Sequence, residues 1–306
     1  MEVIQYVTIA SVLIAFLAII VKVIKYATAP ESMRWELYPV PHEKGRSEYG
    51  GSYFEELDWW TKPRHSDMFN EMKEMASEII FLKGVLHNNK RVWRFSFPFH
   101  FGLYLCIGWL FLLLLGGIMD AVGVGVSADA GVFGLVVHYL TVISGYAGLI
   151  LTGIGAFGLF VWRVTDSNQR PYNSFAEYFN LLFIDAVVVL ALITHLGSDP
   201  GFAYLRGYVA AILSFEPAVI PGTLFGIEVV LMSLLIMYIP LSRMSHFVAK
   251  YFLYHAVRWH DEPNVRGSKI EKRLTELLGK KISWSAEHMH PGKTWGEAVQ
   301  EKENEQ

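Results

Sequence analysis

The chain has 306 residues, of which 53% are hydrophobic and 18% charged, with a formal net charge of −3. No basic excess or stripe is available to neutralise nucleic-acid phosphates, and the hydrophobic residues lie in long blocks rather than the short periodic runs of a soluble domain. The single cysteine, Cys106, excludes an internal disulfide and any iron–sulfur cluster held by this chain alone, which takes about four thiolates; no Cys-x-x-Cys-His run offers c-type haem attachment.

A hydrocarbon core about 30 Å thick is crossed by about 20 apolar helical residues. Five stretches qualify: residues 3–26, 98–121, 132–162, 175–196 and 222–246. The first is expected to be a retained helix rather than a cleaved leader. No Lys or Arg precedes it, and it is longer than a signal h-region. The spacing therefore predicts an all-α membrane protein, a five-transmembrane-helix bundle.

Lys and Arg divide unevenly. Of the 26, 12 lie between Lys22 and Arg94 and 11 from Arg243 onward, whereas the connections after the second and fourth stretches hold none and one. Positive charge marks the cytoplasmic side. The expected orientation has the N-terminus outside and the C-terminus cytoplasmic, which an odd number of spans satisfies. Four parts follow: a first transmembrane helix (1–27), a cytoplasmic insert (28–97), a four-helix membrane core (98–246) and a cytoplasmic tail (247–306).

The insert is polar but rich in aromatics, with Arg34-Trp35-Glu36-Leu37-Tyr38-Pro39 and Asp58-Trp59-Trp60. Ser66, followed by Phe69, Met72, Met75, Ile79, Ile80, Leu82 and Leu86, reads as a capped amphipathic helix. Its apolar face suits the membrane surface or a partner subunit. After the fourth span, residues 204–215 form an apolar stretch too short to cross, expected as an interfacial or re-entrant helix. In the tail, residues 269–278 read as a solvated helix with paired charges. The remainder, with His288, His290 and Gly292-Lys293-Thr294-Trp295, reads as an extended docking arm. That Gly-Lys-Thr lacks the upstream glycine of a phosphate loop.

Four of the 11 histidines fall within spans: His100, His138, His195 and His246. An ionisable side chain in the bilayer is costly and marks a functional site by default, and neutral imidazole is the commonest metal ligand. Two imidazoles on opposite faces of a porphyrin hold haem b between helices. Depth sorts the four into pairs. His100 opens the second span and His246 closes the fifth, both at the cytoplasmic end. His138 is about 9 Å into the third span from outside, and His195 closes the fourth on that side. Against this stands the bland reading, in which a span-end histidine bonds a headgroup or a carbonyl. Arg94 and Arg243 lie within two turns of the inner pair, placed to neutralise haem propionates or simply to anchor the spans. The glycines of the third span (Gly134, Gly145, Gly148, Gly153, Gly155 and Gly158) permit close helix packing or a macrocycle against the backbone.

With these residues in view, the sequence resembles the gamma subunit of respiratory nitrate reductase and the related cytochrome b subunits of heterodisulfide reductase and of sulfite-reduction-associated membrane complexes. Phe99-His100-Phe101-Gly102 opens the second span, and Pro240-Leu241-Ser242-Arg243-Met244-Ser245-His246 closes the fifth, as that family's inner haem ligands do. The resemblance covers roughly residues 95–260, and the insert departs from the nitrate reductase subunit. The family also places two further histidines where this chain has Leu110 and Glu228. An outer haem is then either absent or held by His138 and His195.

The resemblance implies a multi-pass protein of a prokaryotic inner membrane. It would carry one or two haems b and pass electrons between menaquinone, or another quinone, and a separate cytoplasmic iron–sulfur subunit of heterodisulfide-reductase type. Quinone chemistry needs a proton acceptor near the ring. Asp185 and Glu228 are the intramembrane acids suited to it, or else they make helix–helix hydrogen bonds. Asp120, Asp129, Asp199 and Glu216 fall in outer connections and are expected to be solvated. Two other functions compete: a haem-free anchor for a soluble redox complex, and a proton-coupled transporter. The transporter would show inverted repeats and broken helices, and the sequence shows neither.

Overall fold

The computed structural model describes residues 1–300 apart from 31–39, 44, 47, 50, 64, 287 and 288. The Arg34–Pro39 motif and His288 lie outside the described residues. In chain order the α-helices are α1 (Val3–Ala27), α2 (Met68–Ile80), α3 (Lys83–Asn88), α4 (Lys90–Ala121), α5 (Val132–Thr165), α6 (Phe175–Ser198), α7 (Ala203–Leu213), α8 (Thr223–Leu241), α9 (His246–Leu253), α10 (Lys269–Leu278) and α11 (Trp295–Ala298). Among the described residues there is no strand, only isolated bridges. Five helices, α1, α4, α5, α6 and α8, are long and apolar enough to cross a membrane. The chain divides into two units, Met1–Ala18 with Met75–Met244, and Ile19–Glu74 with Ser245–Gln306.

The first unit holds four of the long helices and the start of α1. α4 and α5 run antiparallel, joined by residues 122–131, and small residues bring their backbones together. A Cβ on Gly102 would stand 2.4 Å from the Thr152 nitrogen, and one on Gly155 2.4 Å from the Phe99 nitrogen. α4 begins eight residues earlier than hydropathy suggests, because Asn89 caps it by accepting from the Val92 N–H (3.1 Å). Its first two turns carry Lys90, Arg91 and Arg94 among aromatic residues and precede Pro98. A core of Phe99, Leu149, Ala156, Leu159, Leu181, Ile184 and Val188 fills the space among α4, α5 and α6. α6 starts on a capping box made by Ser174 and Glu177.

The short apolar stretch after the fourth span is indeed helical, as α7. It lies against the end of α4, where Gly116 and Gly117 leave a notch. Thr8 of α1 hydrogen-bonds both Tyr208 of α7 and Ser233 of α8, at 2.8 Å each. This satisfies three hydroxyls among apolar side chains.

α8 ends at Leu241 rather than reaching His246. Pro240 has no N–H for the helix ladder, Ser242 is extended (φ −97°, ψ −176°), and a single 3-10 turn, Arg243–Ser245, intervenes. His246 is therefore the first residue of α9 and does not close the fifth span.

In the second unit, α2 is capped by Asp67, whose carboxylate accepts from the Asn70 N–H (3.0 Å), rather than by Ser66. The end of that helix, which belongs to the first unit, is at Ile80, and Leu82 adopts a left-handed conformation (φ 51°) before α3, so the amphipathic element is broken rather than continuous to Leu86. His42 ties the insert to the tail, with Nδ1 3.1 Å from Glu71 and Nε2 2.9 Å from Asp261. Glu43 is buried beside it and accepts from Ser52 Oγ (3.0 Å) and the Tyr53 N–H (2.7 Å). α10 forms as expected. The described residues after it are not an extended arm. They fold back, with the Ile282 N–H on the Lys293 carbonyl (2.8 Å) and the Trp295 N–H on the Lys280 carbonyl (3.0 Å). Gly292, at φ +92°, makes the turn.

Candidate functional site

The first unit has a histidine at each end. At one end His100 lies in the third turn of α4, and its Nδ1 is 2.7 Å from the Ser96 carbonyl and 3.3 Å from Ser96 Oγ. A carbonyl only accepts, so Nδ1 carries the proton and, in the neutral ring, Nε2 carries the lone pair. The buried Phe99 meets the His100 ring edge-on at 5.2 Å. Asp185 of α6 is close to this level. Its Oδ1 lies 3.9 Å from where a Gly153 Cβ would be, one residue along from Thr152, which packs on Gly102. The other oxygen, Oδ2, is buried without a hydrogen-bond partner.

At the opposite end α6, α7 and α8 enclose a cluster of ionisable groups. His195 Nε2 is 2.9 Å from Glu228 Oε1, and neither side chain is exposed. His195 Nδ1 is 3.4 Å from Asp199 Oδ2, whose side chain is 4% exposed. Asp199 in turn receives the first free N–H groups of α7, Ala203 at 2.7 Å and Tyr204 at 3.0 Å. A carboxylate at a helix N-terminus satisfies orphan donors and faces the positive end of the dipole. The Phe202 ring lies 4.5 Å from His195 and 5.0 Å from Trp109. Arg206, 8% exposed, crosses Gly116 to meet Asp120 (Nε to Oδ2, 2.9 Å). Glu228 Oε2, His195 Nδ1, Trp109 Nε1 and Arg206 Nη1 are buried here with no hydrogen-bond partner.

The sequence-derived residues thus distribute unevenly. The structure joins His195 to Glu228, which the sequence assigned to different tasks. It keeps Glu228 apart from Asp185, which lies ten residues, about 15 Å of helix, before His195. His138 does not share the His195 cluster's hydrogen bonds; its ring sits over Gly201, and its Nδ1 is buried without a partner. Arg243 pairs with Glu177 (2.8 Å), and Arg94 is exposed. His246 is exposed at the start of α9. The third-span glycines are occupied by packing: Gly145 by Phe202 and Trp109, Gly148 by Cys106, Gly153 by Val188, Gly158 by Phe95 and Gly134 by the Gly125 carbonyl.

One residue expected to be solvated is not: Asp199 is buried. Asp120 remains 29% exposed, though ion-paired. The available signal was the Asp199-Pro200-Gly201 turn directly before a short apolar helix, which is an N-cap pattern; Arg206, the one cation of that connection, was the other.

Among the described residues no group of three or more His, Cys, Asp or Glu side chains is arranged to hold a metal ion. Scans against protein-family models, curated proteins and solved structures each found no match for this chain.

Proposed function

We propose that this chain is the membrane cytochrome b subunit of a respiratory redox complex in a prokaryotic inner membrane. It would pass electrons between a quinone, such as menaquinone, and a cytoplasmic iron–sulfur subunit of heterodisulfide-reductase type. The observation that carries the reading is the Nδ1–H of His100 on the Ser96 carbonyl. Metal-bound histidines characteristically donate the other ring N–H in this way, which fixes the tautomer and aims Nε2 at the metal. His255 makes the same bond to Tyr251 (2.9 Å), but its Nε2 is taken by Glu71. At His100 it coincides with the Phe-His-Phe-Gly opening that resembles a haem-ligand motif.

His100 offers one imidazole of the kind that ligates haem b, and the resemblance supplies His246 as the second ligand. A bound haem supplies one-electron chemistry. The residues of this chain hold and surround it. Ser96 orients the His100 ring, and Arg94 and Arg243 offer cations to propionates, Arg243 by exchanging Glu177 for a new carboxylate. Asp185, near the level of His100 with one oxygen unpartnered, is the acid we assign to a quinol proton. The donor set at the other end does not fit. Both nitrogens of His195 face carboxylates, so the reading includes no haem on His138 and His195.

Purified chain in detergent tests this directly. Acid–acetone extraction should yield close to one haem b per chain, with a b-type band that appears on adding menadiol. A colourless chain that still binds an iron–sulfur subunit would establish the haem-free anchor instead.

A further inference from the structure

We propose that Glu228, His195 and Asp199 form a proton relay that carries protons from the interior of the helix bundle to its α7 end. The inference rests on the redox reading only for the source of the protons.

The three groups lie in line. Glu228 Oε1 is hydrogen-bonded to His195 Nε2 at 2.9 Å, and His195 Nδ1 lies 3.4 Å from Asp199 Oδ2, an ion-pair distance without a formed hydrogen bond. An imidazole passes a proton by accepting at one nitrogen and releasing from the other, so the two carboxylates stand at its entrance and exit. At the exit, Asp199 is flanked by the exposed Ser198 and Pro200, which brings the line to the surface. At the entrance, Glu228 Oε2 is buried and has no partner. A buried carboxylate oxygen left unpaired is costly.

The three side chains are 0%, 0% and 4% exposed. The groups around them are already committed. Arg206 is held by Asp120, the Tyr208 hydroxyl by Thr8 and the Tyr146 hydroxyl by the Pro200 carbonyl (3.2 Å), while His138 lies over Gly201. Phe202, Phe225 and Trp109 wall the line from the rest of the bundle. A structural pin between α6 and α8 needs only the hydrogen bonds; a relay needs protons that move.

Glu228→Gln keeps a hydrogen-bonding side chain and cannot carry a proton. The full chain in phosphatidylcholine nanodiscs is titrated in D2O by infrared difference spectroscopy, and its single-turnover oxidation of menadiol is followed in H2O and D2O. The wild type should show a carboxyl C=O band that titrates together with an imidazole band. In Glu228→Gln the carboxyl band should vanish, the imidazole band should stop titrating, and menadiol oxidation should fall at least tenfold with the haem spectrum unchanged. Glu228→Asp should restore the band and part of the rate. Asp199→Asn, at the other end of the line, gives the same readout if Glu228→Gln does not fold. A carboxyl band that survives both substitutions, or variants that keep the wild-type rate and isotope effect, overturns the relay. A wild-type chain without haem overturns the redox reading, and the infrared titration then decides the relay by itself.

Discussion

His195 and Glu228, on α6 and α8, meet at 2.9 Å with neither side chain exposed. Such a pair is stable only when each group has the other, because an unpaired charge in a low-dielectric interior is strongly penalised. Glu228→Ala should therefore destabilise the bundle by about 3–5 kcal/mol, and Glu228→Gln by clearly less. Thermal unfolding in detergent measures both. Equal losses for the two variants would show that shape rather than pairing holds this end.

Gly102 and Gly108 lie on the same helix and predict opposite outcomes. A Cβ on Gly102 meets the Thr152 backbone nitrogen at 2.4 Å and the Gly148 carbonyl at 2.9 Å, whereas one on Gly108 meets nothing within 4 Å. Backbone cannot give way as a side chain does, so Gly102→Ala should push α4 from α5 and cost about 1–3 kcal/mol. Gly108→Ala should leave the melting temperature unchanged or raise it.

Arg206 and Asp120 fasten α7 to the end of α4. Replacing Asp120 with Ala leaves a mostly buried guanidinium without its carboxylate, at a cost of about 1.5–3 kcal/mol. Amide exchange within α7 should accelerate at least tenfold, while that of α5 is unchanged. An α7 that exchanges as in the wild type would mean that Asp199 and the Thr8–Tyr208 contact suffice to hold it.

The second unit carries a pH dependence of its own. Burial pushes the Glu43 carboxyl above its ordinary value of 4.5, opposed by hydrogen bonds from the Tyr53 N–H and the Ser52 hydroxyl. A carboxyl raised on folding binds its proton more tightly in the folded state. Its contribution to stability is full below pH 4.5 and fades as pH rises through the raised folded value. Protection of the Tyr53 amide against exchange, corrected for the intrinsic rate, should therefore fall as pH rises above 4.5. Glu43→Gln should flatten that slope; an unchanged slope would place its origin in another group.

Much of this architecture is legible in the sequence. The five long helices follow from apolar length, and α7 and α10 from a short apolar run and a charged amphipathic one. The errors have physical causes. The fifth span was read through to His246 because hydropathy does not register the missing N–H of Pro240 or the extended Ser242. Asp199 read as solvated because a polar residue in a turn is invisible as a buried cap until its helix packs. The glycines of α5 were ambiguous because composition cannot distinguish a helix neighbour from a flat ligand, and Phe99, Cys106 and Phe202 fill those notches. His195 and Glu228, 33 residues apart, carried no sign that they would meet.

The most direct test of the redox reading is a reduced-minus-oxidised optical spectrum of the wild type, His100→Ala, His246→Ala and His195→Ala. The account predicts a b-type band in the wild type, its loss in both His100→Ala and His246→Ala, and its retention in His195→Ala. A band that survives His100→Ala and disappears in His195→Ala would contradict it and move the haem to the α7 end.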